Sequence, residues 1–366
     1  MDGHPWFTAR EKVYILLGCL IVSFLMLKLV EPVLKRLRVR KVYIISSIAV
    51  VILVGANCIV EAHSSSIVGG GIQEINSKAY AAVDAEVKLR ESTGSTVTQN
   101  TAQTIESALS DEEKNSLCYG AVAVLHLDFC DTPYGQVNEQ ALSLSSMDWY
   151  PQESACIDVL EVGHCPFVGD QNSNVVYAVY GDSRARSLYD AFDIAGKMLH
   201  VKFEYFVNEA CSIEPAKVNP DKWFSRQTCQ DNWSTMMSNL QKYKKVILIN
   251  RFEMYDSMFD NYSRSIKELL EQHRNFYLLE TNPSFSVSAA HQISIPRNSV
   301  DSLGNHFYPD LMQNGTEIPM SKALCDDENC YAAVADVVTL FDKLHFSRTF
   351  SITLGPLLAD ALEGIE

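Results

Sequence analysis

Two apolar runs open the chain, at residues 13–30, interrupted by Lys28, and at residues 43–60. Neither carries a polar face at helical spacing, which separates them from the amphipathic helices of a soluble core. Each is about as long as a bilayer-crossing helix needs to be. The pattern therefore predicts a transmembrane hairpin within residues 1–62. Between the runs, Lys35-Arg36-Leu37-Arg38-Val39-Arg40-Lys41 sets five positive charges in seven residues. A loop of this kind stays on the cytoplasmic side. Loop 31–42 is then cytoplasmic, and everything after residue 62 lies outside. A cleaved signal peptide fits less well, because the N-terminus is not basic and there are two runs.

Residues 63–117 read as a linker. Ser64-Ser65-Ser66 and Gly69-Gly70-Gly71 suggest flexibility, residues 79–89 a short amphipathic helix, and residues 94–103 a polar, Thr-rich stretch. Residues 118–173 form an irregular segment bracketed by cysteines. From residue 174 to 366 strand and helix patterns alternate. Strands are expected at about 175–181, 201–207, 245–250 and 275–279. Helices are expected from Ser183 to about 198, at about 233–242, at 263–273 and at 350–362, with a long loop at about 281–330. Alternation of this kind predicts an α/β domain, a parallel sheet in three layers with helices on both faces.

Charge and cysteine usage sharpen this picture. Residues 1–62 hold eight Lys/Arg and four Asp/Glu, a net +4, and the rest of the chain holds 22 and 41, a net −19. That acidity argues against nucleic acid or anionic lipid as a partner of the large domain. Cys19 and Cys58 lie in the apolar runs. The other eight cysteines follow in four near pairs: Cys118/Cys130, Cys156/Cys165, Cys211/Cys229 and Cys325/Cys330. An even, locally paired set beyond the second apolar run suggests disulfides in an oxidising compartment. Zinc is the weaker reading, since no pair has CxxC spacing and no histidine pair accompanies them.

The chemistry concentrates at two places. The β-branched run that ends at Gly181-Asp182-Ser183 is followed at once by a helical pattern. It reads as a buried strand, a tight turn and a helix beginning at serine. Open α/β sheets place their sites at such carboxyl ends. A serine there is also an ordinary helix cap. Its case as a nucleophile rests on Asp342-Lys343-Leu344-His345, which sets an acid three residues before a histidine, ahead of an apolar helix. A serine nucleophile needs a base, and the base needs an orienting carboxylate. His345 and Asp342 supply both from one turn. The Ser183 N–H, at a helix start, is the first candidate for an oxyanion donor. Trp149, Tyr150 and the region of Trp223 are candidates to line a sugar cleft, although core packing is the commoner use of aromatic residues.

These stretches resemble the SGNH (GDSL-like) hydrolase superfamily, in particular the extracytoplasmic SGNH domain of acyltransferase-three membrane O-acyltransferases. Tyr180-Gly181-Asp182-Ser183 is similar to the nucleophile block, and Asp342 to Ser347 to the closing Asp-x-x-His-Leu-Ser block. Leu117-Cys118-Tyr119-Gly120-Ala121-Val122-Ala123, with Cys130, is similar to the cysteine-rich extension that precedes the domain. Val246-Ile247-Leu248-Ile249-Asn250-Arg251-Phe252 is similar to the third-strand block, and Leu29 to Lys35 to the end of the membrane acyltransferase. Two departures stand out: only the last membrane helices are represented here, and Arg184 follows the serine where many relatives carry histidine.

The resemblance implies a three-layer SGNH (flavodoxin-like) fold and catalytic roles for Ser183, His345 and Asp342. It implies a second oxyanion donor from the backbone near residues 208–211 and a side-chain donor from Asn250 or Arg251. No cofactor or metal is implied. The expected activity is acyl transfer, usually of acetyl, through an acyl-Ser183 to a surface polysaccharide or peptidoglycan. The expected partners are the bilayer, an acyl donor supplied by a separate membrane acyltransferase, and a carbohydrate acceptor. A carbohydrate esterase using the same residues and a non-catalytic glycan-binding subunit are the alternatives.

Overall fold

The computed structural model describes residues 69–93, 105, 107–131, 133–149, 166–218, 226–258, 261–280, 294–297 and 317–365. The chain divides into two compact units, 1–69 and 70–366. Both expected membrane segments and the loop between them fall in the first unit, outside the described residues. Among the described residues, no helix is long and apolar enough to cross a membrane.

Among the described residues, the second unit is built on a six-stranded sheet. Its first five strands are β1 (Phe167–Gly169), β2 (Val176–Gly181), β3 (Lys202–Val207), β4 (Val246–Ile249) and β5 (Phe276–Leu279), and the sixth is Glu317–Ile318. The spatial order is β1-β3-β2-β4-β5 and then Glu317–Ile318. All neighbours run parallel except β1, which pairs antiparallel with β3 at the edge. The sheet is therefore mixed and mostly parallel. The four parallel strands expected from the sequence pattern are present within a residue or two. The antiparallel edge strand was not anticipated, and it begins before the expected start of the domain at residue 174.

Strand β2 shows why the sheet sits in the middle of this unit. Tyr177 and Val179 pack into one apolar cluster, and Ala178 and Tyr180 into another. Both faces of the strand are buried, as a parallel sheet covered on two sides requires. On the first face lie helices Tyr189–Met198 and Arg348–Glu363, with Phe192, Phe350, Leu354 and Leu358 in the cluster. Gly355 lets these two helices approach closely, since a Cβ there would stand 2.4 Å from Ile194 Cγ2. On the second face, helix Tyr262–Gln272 buries Tyr262, Ile266, Leu269 and Leu270.

The linker reading of residues 63–117 needs correction where the structure describes them. Residues 69–93 form one helix, so the triple glycine 69–71 lies within a helix. Ala79, Ala82, Val83, Ala85 and Leu89 pack with Leu117, Val122, Ile194 and Ile352 of the domain. An ion network fastens the same face. Arg90 reaches Glu86 at 2.6 Å and Asp360 at 2.6 Å, and Glu86 meets His126 Nε2 at 2.6 Å. Small alanines at helical spacing make a face that docks closely, a weaker signal in sequence than large apolar residues. Ala121, Ala123 and Cys130 of the cysteine-bracketed segment likewise share the core of the α/β domain.

Three disulfides join the expected partners: Cys118–Cys130, Cys211–Cys229 and Cys325–Cys330. Cys156 and Cys165 lie outside the described residues, as do Tyr150 and Trp223.

Candidate active site

Strand order reverses at β2, with β3 on one side of it and β4 on the other. This is the switch point at which open α/β sheets leave a crevice beyond the strand ends. The turn after β2 sits there. Gly181 pairs with Val207 of β3 and with Ile249 of β4. A Cβ at Gly181 would lie 1.9 Å from the Ile249 carbonyl oxygen. Glycine is required here for close approach of backbones rather than for an unusual φ.

Ser183 is the first residue of the helix Ser183–Ser187, and Asp182 is its N-cap. Asp182 Oδ1 accepts the Arg184 N–H at 2.9 Å, and Oδ2 accepts the Arg251 N–H at 2.9 Å. The carboxylate thus binds the turn after β2 to the end of β4. Burial pushes the Asp182 carboxyl up, opposed by the Arg251 amide, the Arg184 charge and amide, and the charge of His345. As first residue of its helix, Ser183 has its N–H outside the helical hydrogen-bond ladder.

The second half of the site comes from the chain's last turn before the C-terminal helix. Ser183 Oγ lies 2.7 Å from His345 Nε2, and His345 Nδ1 lies 2.7 Å from Asp342 Oδ2. Asp342 Oδ1 accepts the N–H groups of Leu344 at 2.6 Å and His345 at 2.8 Å. An antiparallel bridge between Leu340 and Phe346 closes the turn. Burial alone would raise the Asp342 carboxyl. The His345 hydrogen bond and charge, with the two backbone amides, outweigh burial and hold it below the usual carboxylate range. The two halves are also tied directly: the Phe346 N–H donates to Ser187 Oγ at 3.3 Å, and Ser187 Oγ donates to the Arg184 carbonyl at 2.8 Å. The histidine is thus held against the helix that carries the serine.

Residues expected to complete an oxyanion site lie on the two strand ends flanking Ser183. Asn250 is fully buried after β4. Its amide nitrogen donates to the Cys211 carbonyl at 2.8 Å, and its oxygen accepts the Tyr262 hydroxyl at 3.0 Å. Asn250 therefore stitches the loops after β3 and β4 together. Arg251 contributes its backbone N–H to Asp182, as described above. Asn208, next after β3, donates its N–H to the Gly181 carbonyl at 3.3 Å. The residue is 1 % exposed, and among the described residues neither its side-chain nitrogen nor its side-chain oxygen has a hydrogen-bond partner. Buried polar groups are nearly always paired, so an unpaired carboxamide beside the serine turn calls for a reason. The sequence pointed only to the backbone of this stretch. An asparagine closing a buried strand was the available signal.

Aromatic rings back the histidine. Phe341 stacks on the His345 ring at 5.6 Å, and Trp149 stacks on Phe341 at 4.5 Å.

A mostly parallel, doubly covered sheet, with a serine, a histidine and an aspartate hydrogen-bonded in line at its strand ends, belongs to the α/β class that supports acyl transfer or ester hydrolysis. The family model for the "SGNH domain (fused to AT3 domains)" matches residues 150–360, more than half of the chain, and the chain belongs to that family. Among solved structures, it is similar to the periplasmic domain of the lipopolysaccharide acetyltransferase of Salmonella ser. Paratyphi A. That similarity has 14 % sequence identity and a TM-score of 0.39, covering 53 % of this chain and 85 % of the other. No curated protein matches the chain.

Proposed function

We propose that the protein is a membrane-anchored, extracytoplasmic serine O-acyltransferase that works through an acyl-Ser183 intermediate. The observation that carries this reading is the hydrogen-bonded chain Ser183–His345–Asp342, with both links at 2.7 Å. Ser183 Oγ attacks the carbonyl carbon of an acyl donor while its proton passes to His345 Nε2. Asp342 holds the imidazole in the tautomer that accepts at Nε2 and balances the imidazolium. His345 returns the proton to the donor's leaving group, and the acyl group stays on Ser183. An acceptor hydroxyl, deprotonated by His345, then attacks the acyl carbon, and His345 returns that proton to Ser183 Oγ as the acyl–serine bond breaks. The Ser183 N–H supports the oxyanion of each tetrahedral intermediate, with Asn250, Arg251 and the adjoining Asn208 as further candidates.

Family membership favours acetyl as the acyl group and surface polysaccharide or peptidoglycan as the acceptor, with the donor supplied by a separate membrane acyltransferase. Residues 13–30 and 43–60 are the proposed membrane anchors, with loop 31–42 cytoplasmic and the large domain periplasmic or extracellular. Three disulfides among the described residues support an oxidising compartment. Ester hydrolysis is the second reading. The Asp342 side chain is 41 % exposed and that of His345 17 %, so water can reach this side of the site.

The test is labelling of the full-length, disulfide-bonded protein with a fluorophosphonate, followed by intact and peptide masses. One adduct on Ser183, absent in Ser183→Ala and strongly reduced in His345→Ala, is the expected result. No adduct on folded protein overturns the catalytic reading and leaves a glycan-binding subunit. Acyl transfer to sugar against release to water then separates transferase from esterase.

A further inference from the structure

The aromatic rings behind His345 lead from the reacting atoms to the surface. Phe341 lies nearly parallel to the imidazole at 15° and is buried, whereas Trp149, stacked on it, is 44 % exposed. The indole is held in place. Its N–H donates to the Ser146 carbonyl at 2.9 Å, and the preceding Asp148 is anchored by two bonds to the start of the C-terminal helix. Asp148 Oδ2 accepts the Thr349 N–H at 3.0 Å, and the Asp148 carbonyl accepts the Arg348 N–H at 3.0 Å. A large aromatic side chain kept at the surface by its own hydrogen bond and a braced backbone is a prepared contact rather than a core residue left outside.

We propose that Trp149 is the stacking platform of a saccharide subsite, which holds an oligosaccharide acceptor through a sugar next to the one acylated at Ser183. This rests on the acyl-transfer reading and names its acceptor more closely. A pyranose offers a flat face of C–H groups with hydroxyls at its rim, which matches one braced indole. Nucleic-acid bases also stack on aromatic rings, but a chain of net charge −15 repels their phosphates. One ring, Phe341, lies between Trp149 and the histidine, so the stacked sugar is a neighbour of the reacting sugar and an acceptor of more than one residue is required.

The experiment is calorimetric titration of full-length Ser183→Ala protein, which binds without turnover. The probes are cello-, chito-, malto- and manno-oligosaccharides of one to six residues. At least one series should bind, more tightly from monosaccharide to trisaccharide. Trp149→Leu, which still covers Phe341 but has no flat face, should lose roughly five- to tenfold in affinity, and Trp149→Tyr should keep most of it. Binding that ignores Trp149→Leu, affinity that does not grow with length, or no binding in any series overturns the platform. Fluorophosphonate labelling of the wild-type protein keeps the two proposals apart. Labelled Ser183 without Trp149-dependent binding sinks the platform alone, whereas Trp149-dependent binding without labelling sinks acyl transfer alone.

Discussion

At the scale of single residues, Asp342 has two tasks that one substitution separates. Its Oδ1 accepts two backbone N–H groups and shapes the turn, while its Oδ2 accepts from His345 Nδ1. Asp342→Asn keeps an oxygen for the turn but presents an amide N–H to the imidazole. His345 then accepts at Nδ1 and carries its proton on Nε2, facing Ser183, where it cannot act as base. The expected loss is on the order of 10³–10⁴-fold in the hydrolysis of p-nitrophenyl acetate, with circular dichroism unchanged. Activity within tenfold of wild type would remove Asp342 from the orienting role. Asp182, one residue before the serine, has a different task. Its carboxylate is spent on the Arg184 and Arg251 amides, which makes it a fastener of the turn rather than a participant in proton transfer.

At the scale of elements, the site depends on β2 and β4 approaching until Gly181 touches the Ile249 carbonyl. A methyl group at Gly181 meets backbone on β4 at 1.9 Å and the Ala185 Cβ at 2.9 Å. Backbone in the centre of a sheet cannot step aside as a flexible side chain can. Gly181→Ala should therefore cost about 1–3 kcal/mol or more and turn Ser183 away from His345. A thermal melt and fluorophosphonate labelling, read together, check this. An unchanged midpoint with full labelling would mean that the strands separate without consequence. The last turn is the other element that matters, and it is set locally. The carboxylate of Asp342, the Leu340–Phe346 bridge and the Ser347 cap, which accepts the Phe350 N–H at 3.1 Å, all lie within eleven residues of sequence.

At the scale of the whole compact unit, helix 69–93 is joined to the domain by a buried ion network. Glu86 is fully buried between Arg90 and His126, and Arg90 extends the link to Asp360 on the C-terminal helix. Burial alone would raise the Glu86 carboxyl, but the His126 hydrogen bond, the charges of Arg90 and His126 and the Arg90 hydrogen bond outweigh it and hold the group below its ordinary value. A carboxyl lowered on folding contributes stability above its unfolded pKa, about 4.3. That contribution is lost as pH falls through the folded value. Glu86→Gln should cost about 3 kcal/mol near neutrality, because it breaks the buried pair between Glu86 and Arg90. The gap from wild type should narrow as pH falls below about 4. Urea unfolding of both proteins from pH 3 to pH 7 measures this, and a gap independent of pH would show that the network's charge does not hold the helix.

What sequence determined by itself was local. Short apolar, β-branched runs wrote the parallel strands, the Gly181-Asp182-Ser183 turn required a glycine and a cap, and the spacing from Asp342 to His345 placed acid and base in one turn. Each depends on residues a few positions apart, where periodicity and turn chemistry are legible. Tertiary structure alone decided what depends on surfaces meeting from distant parts of the chain. It set Ser183 against His345, 162 positions away. It docked helix 69–93 through small alanines, added β1 as an antiparallel edge, and buried the Asn208 side chain without a hydrogen-bond partner among the described residues. It also kept Trp149 exposed on a stack that ends at the histidine. Burial and pairing belong to the assembled fold, and a residue's type does not state which neighbour will cover it.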